Sequence, residues 1–321
     1  MKPLSVAMAG LATVLLCARA APAQDGNWPV RPLTFIATEV AGSATDIQAR
    51  IVAGGMAPVL GQPIAIENVF GDAGIEKAIA AAPDGYTLVY GGTSTLALLP
   101  NVKKVSYDPL HDLTPVGRFV VSPALLAVNP ALPANSVPEL VALMKAAPGT
   151  LRMATAGAGT TGHLAGEMFI AITGVRPVVV HYPGGGPAIE AVVGNDAQWT
   201  MAPIAGRLPR VRSGALRALA AGSLARIAAL PDVPTIAEQD YPGFDATGWA
   251  GIYVPNGTPQ AVVDRLNAAI VTAVASPAVK AAFAAQGVEG ASSTPAEAAK
   301  LLAEDHARIG DIARRIGMRA E

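Results

Sequence analysis

The sequence predicts an α/β fold in two lobes, each a sheet flanked by helices. Three observations predict it. Short apolar strands alternate with helical stretches through most of the chain, the mark of parallel strands joined by crossover helices. The alternation restarts after Pro115, and one more strand comes late, near residue 250, so the chain crosses between two lobes. The composition is rich in alanine and only 5% aromatic, which suits helices packed on sheets of Val, Leu and Ile. The expected partition puts residues 24–122 and 240–321 in one lobe and 123–239 in the other.

Each element follows from its residues. Leu33 to Ala37 reads as a strand, followed by Gly42-Ser43 and a helix from Thr45 or Asp46 that stops at Gly61. Ile64 to Glu67 is the next strand, Glu76 to Ala82 a short helix, and Thr87 to Tyr90 a third strand. Between the last two, Pro83-Asp84-Gly85 is a turn, in which Pro sets φ and Gly permits φ > 0. After the restart, Val116 to Val121 and Leu125 to Val128 read as strands. A helix follows from Val137 to Ala147, with Ser136 as its N-cap and Gly149 as its stop. Leu151 to Ala154, Val178 to His181, Gln198 to Met201 and Leu216 to Ala220 are strands. Helices from His163 to Thr173 and from Pro187 to Val193 sit among them. Gly251 to Val254 is the late strand. Three closing helices, Pro259–Ala275, Pro277–Gln286 and Pro295–Ile316, each open at a proline after Thr258, Ser276 or Thr294 as cap.

The N-terminus reads as an address. Lys2 precedes an apolar run from Leu4 to Ala18, and Ala21-Pro22-Ala23 places small residues at −3 and −1 for a cut before Gln24. That is the grammar of a cleaved secretory signal, residues 1–23. The run is short for a span, which needs about 20 apolar residues. Cys17 is the sole cysteine and leaves with the signal, so no disulfide framework or thiol chemistry is expected. The mature chain keeps 21 bases against 24 acids, a net charge of −3, which suggests no hold on nucleic acid or acidic membranes.

Four hydroxyl-bearing loops stand after strands. They run over residues 39–46, 91–95, 156–163 and 182–187. In open α/β sheets ligands sit beyond the carboxyl ends of strands, where helix N-termini offer free N–H groups and partial positive charge to an anion. Any one of these loops could be an ordinary βα turn. Four together point to a pocket. Gly157-Ala158-Gly159-Thr160-Thr161-Gly162 fits G-x-G-x-x-G only superficially, because no acidic residue follows the next strand to hold a ribose. No phosphate-cradling Walker sequence and no nucleophile elbow is found, so no cofactor and no catalytic residue is expected. The four histidines lack metal-ligand spacing, and no metal site is expected. His181 reads as structural, while His163 fits either a structural or a pocket role.

Several motifs resemble one family. They are Asn27-Trp28-Pro29-Val30-Arg31-Pro32-Leu33, Ala81-Ala82-Pro83-Asp84-Gly85-Tyr86-Thr87-Leu88 and Tyr107-Asp108-Pro109-Leu110-His111-Asp112-Leu113, with the Gly157 to Leu164 loop. Leu216 to Ala220, Leu230 to Thr235 and Thr247-Gly248-Trp249 complete the set. In this order, over about residues 28 to 317, they resemble the Bug family, periplasmic receptors of tripartite tricarboxylate transporters. The resemblance implies a periplasmic-binding-protein fold of the Venus-flytrap, type II kind. It also implies a small ligand, an organic acid, amino acid or aromatic acid, held between the lobes. The implied partners are that ligand and the membrane permease subunits; the protein itself is expected to be a monomer. Carried onto matching positions, Thr45 and Asp46 belong to the first site loop, and Thr93 and Ser94 to the second. Gly157, Gly159, Thr160 and His163 belong to the third, and Gly184 to Ala188, Gly185 among them, to the fourth; Thr161, in the third loop, is a site candidate by its place there.

The departures from the family pattern bear on the ligand. Glu39, with Val40 and Ala41, stands where an apolar or aromatic residue is usual; Pro183 replaces a common lysine and Ala202 a frequent aspartate. A carboxylate in a partly dry cleft is costly unless paired. If Glu39 faces the cleft, the ligand brings an amine, amide or hydroxyl to it; otherwise Glu39 turns to solvent at the rim. Two other roles are weighed beside transport: a sensory receptor feeding a membrane kinase, and an exported enzyme. The second lacks any nucleophile–base pair in the sequence.

Overall fold

The computed structural model describes residues 28–319, so the expected leader, its cut before Gln24 and Cys17 lie outside the described residues. The first lobe opens with β1 (Leu33–Ala37), α1 (Ala44–Leu60), β2 (Ile64–Asn68), α2 (Asp72–Ile79) and β3 (Thr87–Gly92). β1 lies between β2 and β3 and is parallel to both. α2 begins four residues before the helix expected at Glu76 and ends before Ala82. The reason is Gly74, which reads as a loop residue. A Cβ there would sit 2.6 Å from the Val69 carbonyl oxygen, so this glycine is what lets the helix start close against the end of β2. A π-helical turn (Thr93–Leu98) leaves β3 and runs into α3 (Leu99–Val102).

One long strand, β4 (Leu113–Val128), replaces the two expected around 116–121 and 125–128. The second lobe follows as α4 (Val137–Ala146), β5 (Arg152–Thr155), α5 (Thr161–Thr173), β6 (Val178–His181), α6 (Gly185–Val193) and β7 (Trp199–Pro203), then α7 (Leu208–Arg212) and β8 (Arg217–Ala221). The chain then returns through β9 (Thr247–Pro255) and ends in α8 (Gln260–Ala275), α9 (Pro277–Ala285), β10 (Glu289–Gly290) and α10 (Pro295–Arg315). Ser136, Ser276 and Thr294 cap α4, α9 and α10 through their hydroxyls. Thr258 does not cap α8. Its hydroxyl donates to the Pro255 carbonyl at 2.8 Å, and Pro259 holds the cap position.

The strands join in the order β2-β1-β3-β9-β4-β7-β5-β6, with β8 and β10 also paired to β4. β4 is therefore the spine. Its residues 113–123 pair antiparallel with β9, and its residues 124–128 with β7 and β8. β4 runs outward and β9 back, paired antiparallel through Ser122–Gly248 and Pro123–Thr247. Phe35, Met56, Leu88 and Ile252 pack with α8 on one face of the first sheet. Ile75, Val89, Leu96 and Tyr253 pack with α10 on the other. The second sheet is closed by Trp199, Phe169, Leu140 and Phe244.

Candidate functional site

The strand ends of both lobes converge on a cavity of about 70 Å³ between them. By that measure one water occupies about 10–15 Å³, so the space suits a ligand of a few heavy atoms. The first lobe contributes Thr38 and Glu39 after β1, Thr45 and Gln48 on α1, Tyr90 on β3, and Thr93 to Thr95 on the π-turn. β4 adds Ser122, and β9 adds Gly248 and Trp249. The second lobe adds Thr161, the first residue of α5, and Pro203.

A larger hollow of about 750 Å³ adjoins β4 at Val121 and Pro123, and strand alternation separates the two. Successive side chains on a strand point to opposite faces. Ser122 thus faces the small cavity, while Val121 and Pro123 line the large groove behind it. None of the four hydroxyl-bearing loops reaches that groove, so the small cavity is the candidate site.

Of the residues expected from the sequence, Glu39, Thr45, Thr93, Ser94 and Thr161 line the cavity. Asp46 does not line it. Its carboxylate accepts from the Gly42 N–H at 2.9 Å, from Asn68 Nδ2 at 2.9 Å and from Arg50 Nε at 3.1 Å. Burial pushes the carboxyl up, but those hydrogen bonds and the Arg50 charge outweigh it and hold the group below the usual range. Asn68 Nδ2 also donates to the Glu39 carbonyl at 3.0 Å. Asp46 therefore pins the loop that carries Glu39.

Gly157, Gly159, Thr160 and His163 build the loop behind the cavity. Thr160 Oγ1 donates to the Gly157 carbonyl at 2.8 Å and caps α5 by accepting from the His163 N–H. His163 is buried. Its Nδ1 accepts from the Gly159 N–H at 3.3 Å, and its ring meets His181 edge-on at 4.7 Å. Ala202 is buried beneath the start of α5: a Cβ on Gly162 would lie 2.8 Å from the Ala202 Cβ. Val40 leans over the fourth loop, its Cγ2 3.6 Å from the place a Gly184 Cβ would take, with Gly185 next in α6 and Ala41 exposed at the rim. Ser94 Oγ donates to the Gly159 carbonyl at 3.2 Å, so loops of the two lobes touch across the cavity.

The residues that sequence reasoning missed are the buried polar ones. Gln48 is 2% exposed, and its Oε1 accepts from the Tyr90 hydroxyl at 2.7 Å. Ser122 Oγ is buried and has no hydrogen-bond partner. Thr93 Oγ1 accepts from the Trp249 N–H at 3.0 Å, and Trp249 Nε1 donates to Asp305 at 2.7 Å, which fixes that wall. Gln48 could have been found: it is a polar residue one helical turn beyond Ala44, on the buried face with Val52. Burial pushes the half-buried Glu39 carboxyl up to about 7, against a smaller lowering by the Val40 N–H. Burial also raises the Tyr90 hydroxyl, helped by the charge of Glu39 and opposed by a hydrogen bond with Thr45, so Tyr90 stays neutral.

Comparison with known proteins places this geometry. The profile of the family described as tripartite tricarboxylate transporter family receptor matches residues 48–318. Protein BugT of Bordetella pertussis is 35% identical over 306 residues, 93% of each chain. The structure of the periplasmic binding protein BugD superposes with a TM-score of 0.86 at 28% identity, over 92% of this chain and 100% of that one. MatC of Rhodopseudomonas palustris, solved with bound malate, gives 0.82 at 31% identity, over 89% and 99%. The two-lobed α/β arrangement is thus the periplasmic-binding-protein fold.

Proposed function

Because the chain belongs to the tripartite tricarboxylate transporter receptor family, we propose that it captures a small carboxylate-bearing solute in the inter-lobe cavity and delivers it to membrane permease subunits, without catalysis. One observation carries the reading. The cavity is walled by hydroxyl and amide groups from both lobes, and Ser122 and Gln48 bring buried polar atoms to it. Buried polar groups are costly unless paired, and the unpaired Ser122 hydroxyl favours a ligand that brings a polar group to it. The start of α5, with Thr161, adds helix N–H groups suited to a carboxylate. The malate held by MatC supports the same ligand chemistry. The periplasm is the proposed location, supported by the signal grammar of residues 1–23 and by the receptor family.

We place the lobe crossings at Ser122–Pro123 and Thr247–Gly248, with closure about them trapping the ligand. The loop residues behind the wall, Asp46, Thr160, His163 and Gly184 among them, then act by positioning. A thermal-shift screen of organic acids, amino acids and aromatic acids tests the function. A true ligand raises the melting temperature by mass action, and titration gives one site per chain. Conversion of a stabilising compound, seen by mass spectrometry, would overturn the non-catalytic reading.

A further inference from the structure

Resting on the cavity as the ligand site, we infer that Glu39 selects a ligand carrying a protonated nitrogen beside a single carboxylate, and discriminates against dicarboxylates. Glu39 lines the cavity on the loop after β1. Among the described residues, no lysine, arginine or histidine lines it. Arg308 lines a separate, smaller hollow behind Thr93 and Gly248, where it pairs with Asp305 at 2.6 Å. The ionisable wall is therefore acidic, with Tyr90 as its neutral neighbour. A dicarboxylate would bring a second negative charge to face Glu39 with no cation to offset it, in a setting where charges are weakly screened.

One carboxylate can be met without a cation. With its oxygen on the Tyr90 hydroxyl, Gln48 has its amide N–H groups to offer at the cavity it lines. Flipping the amide would leave the tyrosine proton over instead, so either assignment offers one donor. The unpartnered Ser122 hydroxyl offers another. With its carboxylate on these donors, the far end of the ligand meets Glu39, and an ammonium there forms a charge-assisted hydrogen bond. The burial that holds the Glu39 carboxyl up is relieved by such a partner.

Titration calorimetry tests this with two series of matched chain length. One is ω-amino monocarboxylates from β-alanine to 5-aminovalerate, together with the α-amino acids. The other is dicarboxylates from succinate to adipate, with malate. The wild type should bind its best amino ligand at least about tenfold more tightly than the dicarboxylate of equal length, the scale of one charged hydrogen bond. Glu39→Gln, near-isosteric and checked by its melting curve, should erase that margin, and Glu39→Ala should do the same. Dicarboxylates preferred by the wild type, with affinities that neither variant moves, would overturn the selection by Glu39 while leaving the cavity as the binding site. Binding of neither series would overturn the selection by Glu39, and the failure of aromatic and other organic acids as well in the thermal-shift screen would overturn the cavity as the carboxylate site.

Discussion

At the scale of single residues, the site turns on side chains that spend or withhold their hydrogen bonds. Asp46 spends its carboxylate on Gly42, Asn68 and Arg50, and so holds a loop. Glu39, half-buried on the loop after β1, takes only the neighbouring Val40 N–H and keeps the rest of its carboxylate at the cavity wall. This gives a pH signature in the unliganded protein. The folded-state pKa of Glu39 is raised from 4.5 to about 7, so the folded state binds this proton more tightly than the unfolded state. Its contribution is full below pH 4.5 and is lost as pH rises to about 7. The neighbouring Asp46–Arg50 pair and the neutral Tyr90 do not titrate across that window. Urea denaturation across it should show wild-type stability falling relative to Glu39→Gln as pH rises; parallel curves would contradict the assignment. The sequence marked Glu39 as a departure in a loop. It could not mark Ser122, because a serine between Val121 and Pro123 reads as a strand break rather than as a strand residue turned to a cavity.

At the scale of elements, strands rich in Val, Leu and Ile and helices opened by Ser-Pro or Thr-Pro were legible, because capping and periodicity are local. What local signals missed was contact between elements. Gly74 hides the start of α2 since its reason is the Val69 carbonyl, and Pro123 splits β4 on paper though the strand runs through it. The same limit applies to α5. Gly162 lets the start of this helix approach β7, where a Cβ would sit 2.8 Å from Ala202 Cβ and 3.2 Å from the Met201 carbonyl. Gly162→Ala should push the helix start away and destabilise the protein by about 1–3 kcal/mol, the usual range for overpacking. It should also weaken ligand binding, since Thr161 moves with it. Ala202→Gly restores the lost space. The double variant should therefore recover most of the loss in urea denaturation, a coupling that independent sites do not show.

At the scale of the whole molecule, the two-lobed plan was legible from the restart of the strand–helix pattern and the late strand near 250. The passage of one unbroken β4 through both sheets was not. That passage has a consequence for how the chain finds its fold. Pro123 and Thr247 are paired, yet roughly 120 residues lie between them. Bringing such distant positions together costs about 4 kcal/mol in closure entropy by the (3/2)RT ln n rule, before any hydrogen bond between β4 and β9 repays it. Pairing β5 with β6 spans a far shorter loop. Contacts of long sequence separation form late. Refolding followed by pulsed hydrogen exchange should thus protect the amides of Met153 and Ala154 before those of Ala250 and Ile252; the reverse order would contradict this. The β4–β9 pairing that joins the two ends of the sheet is, by this reasoning, the last to be laid down, and the cavity wall that carries Ser122 and Gly248 is completed only with it.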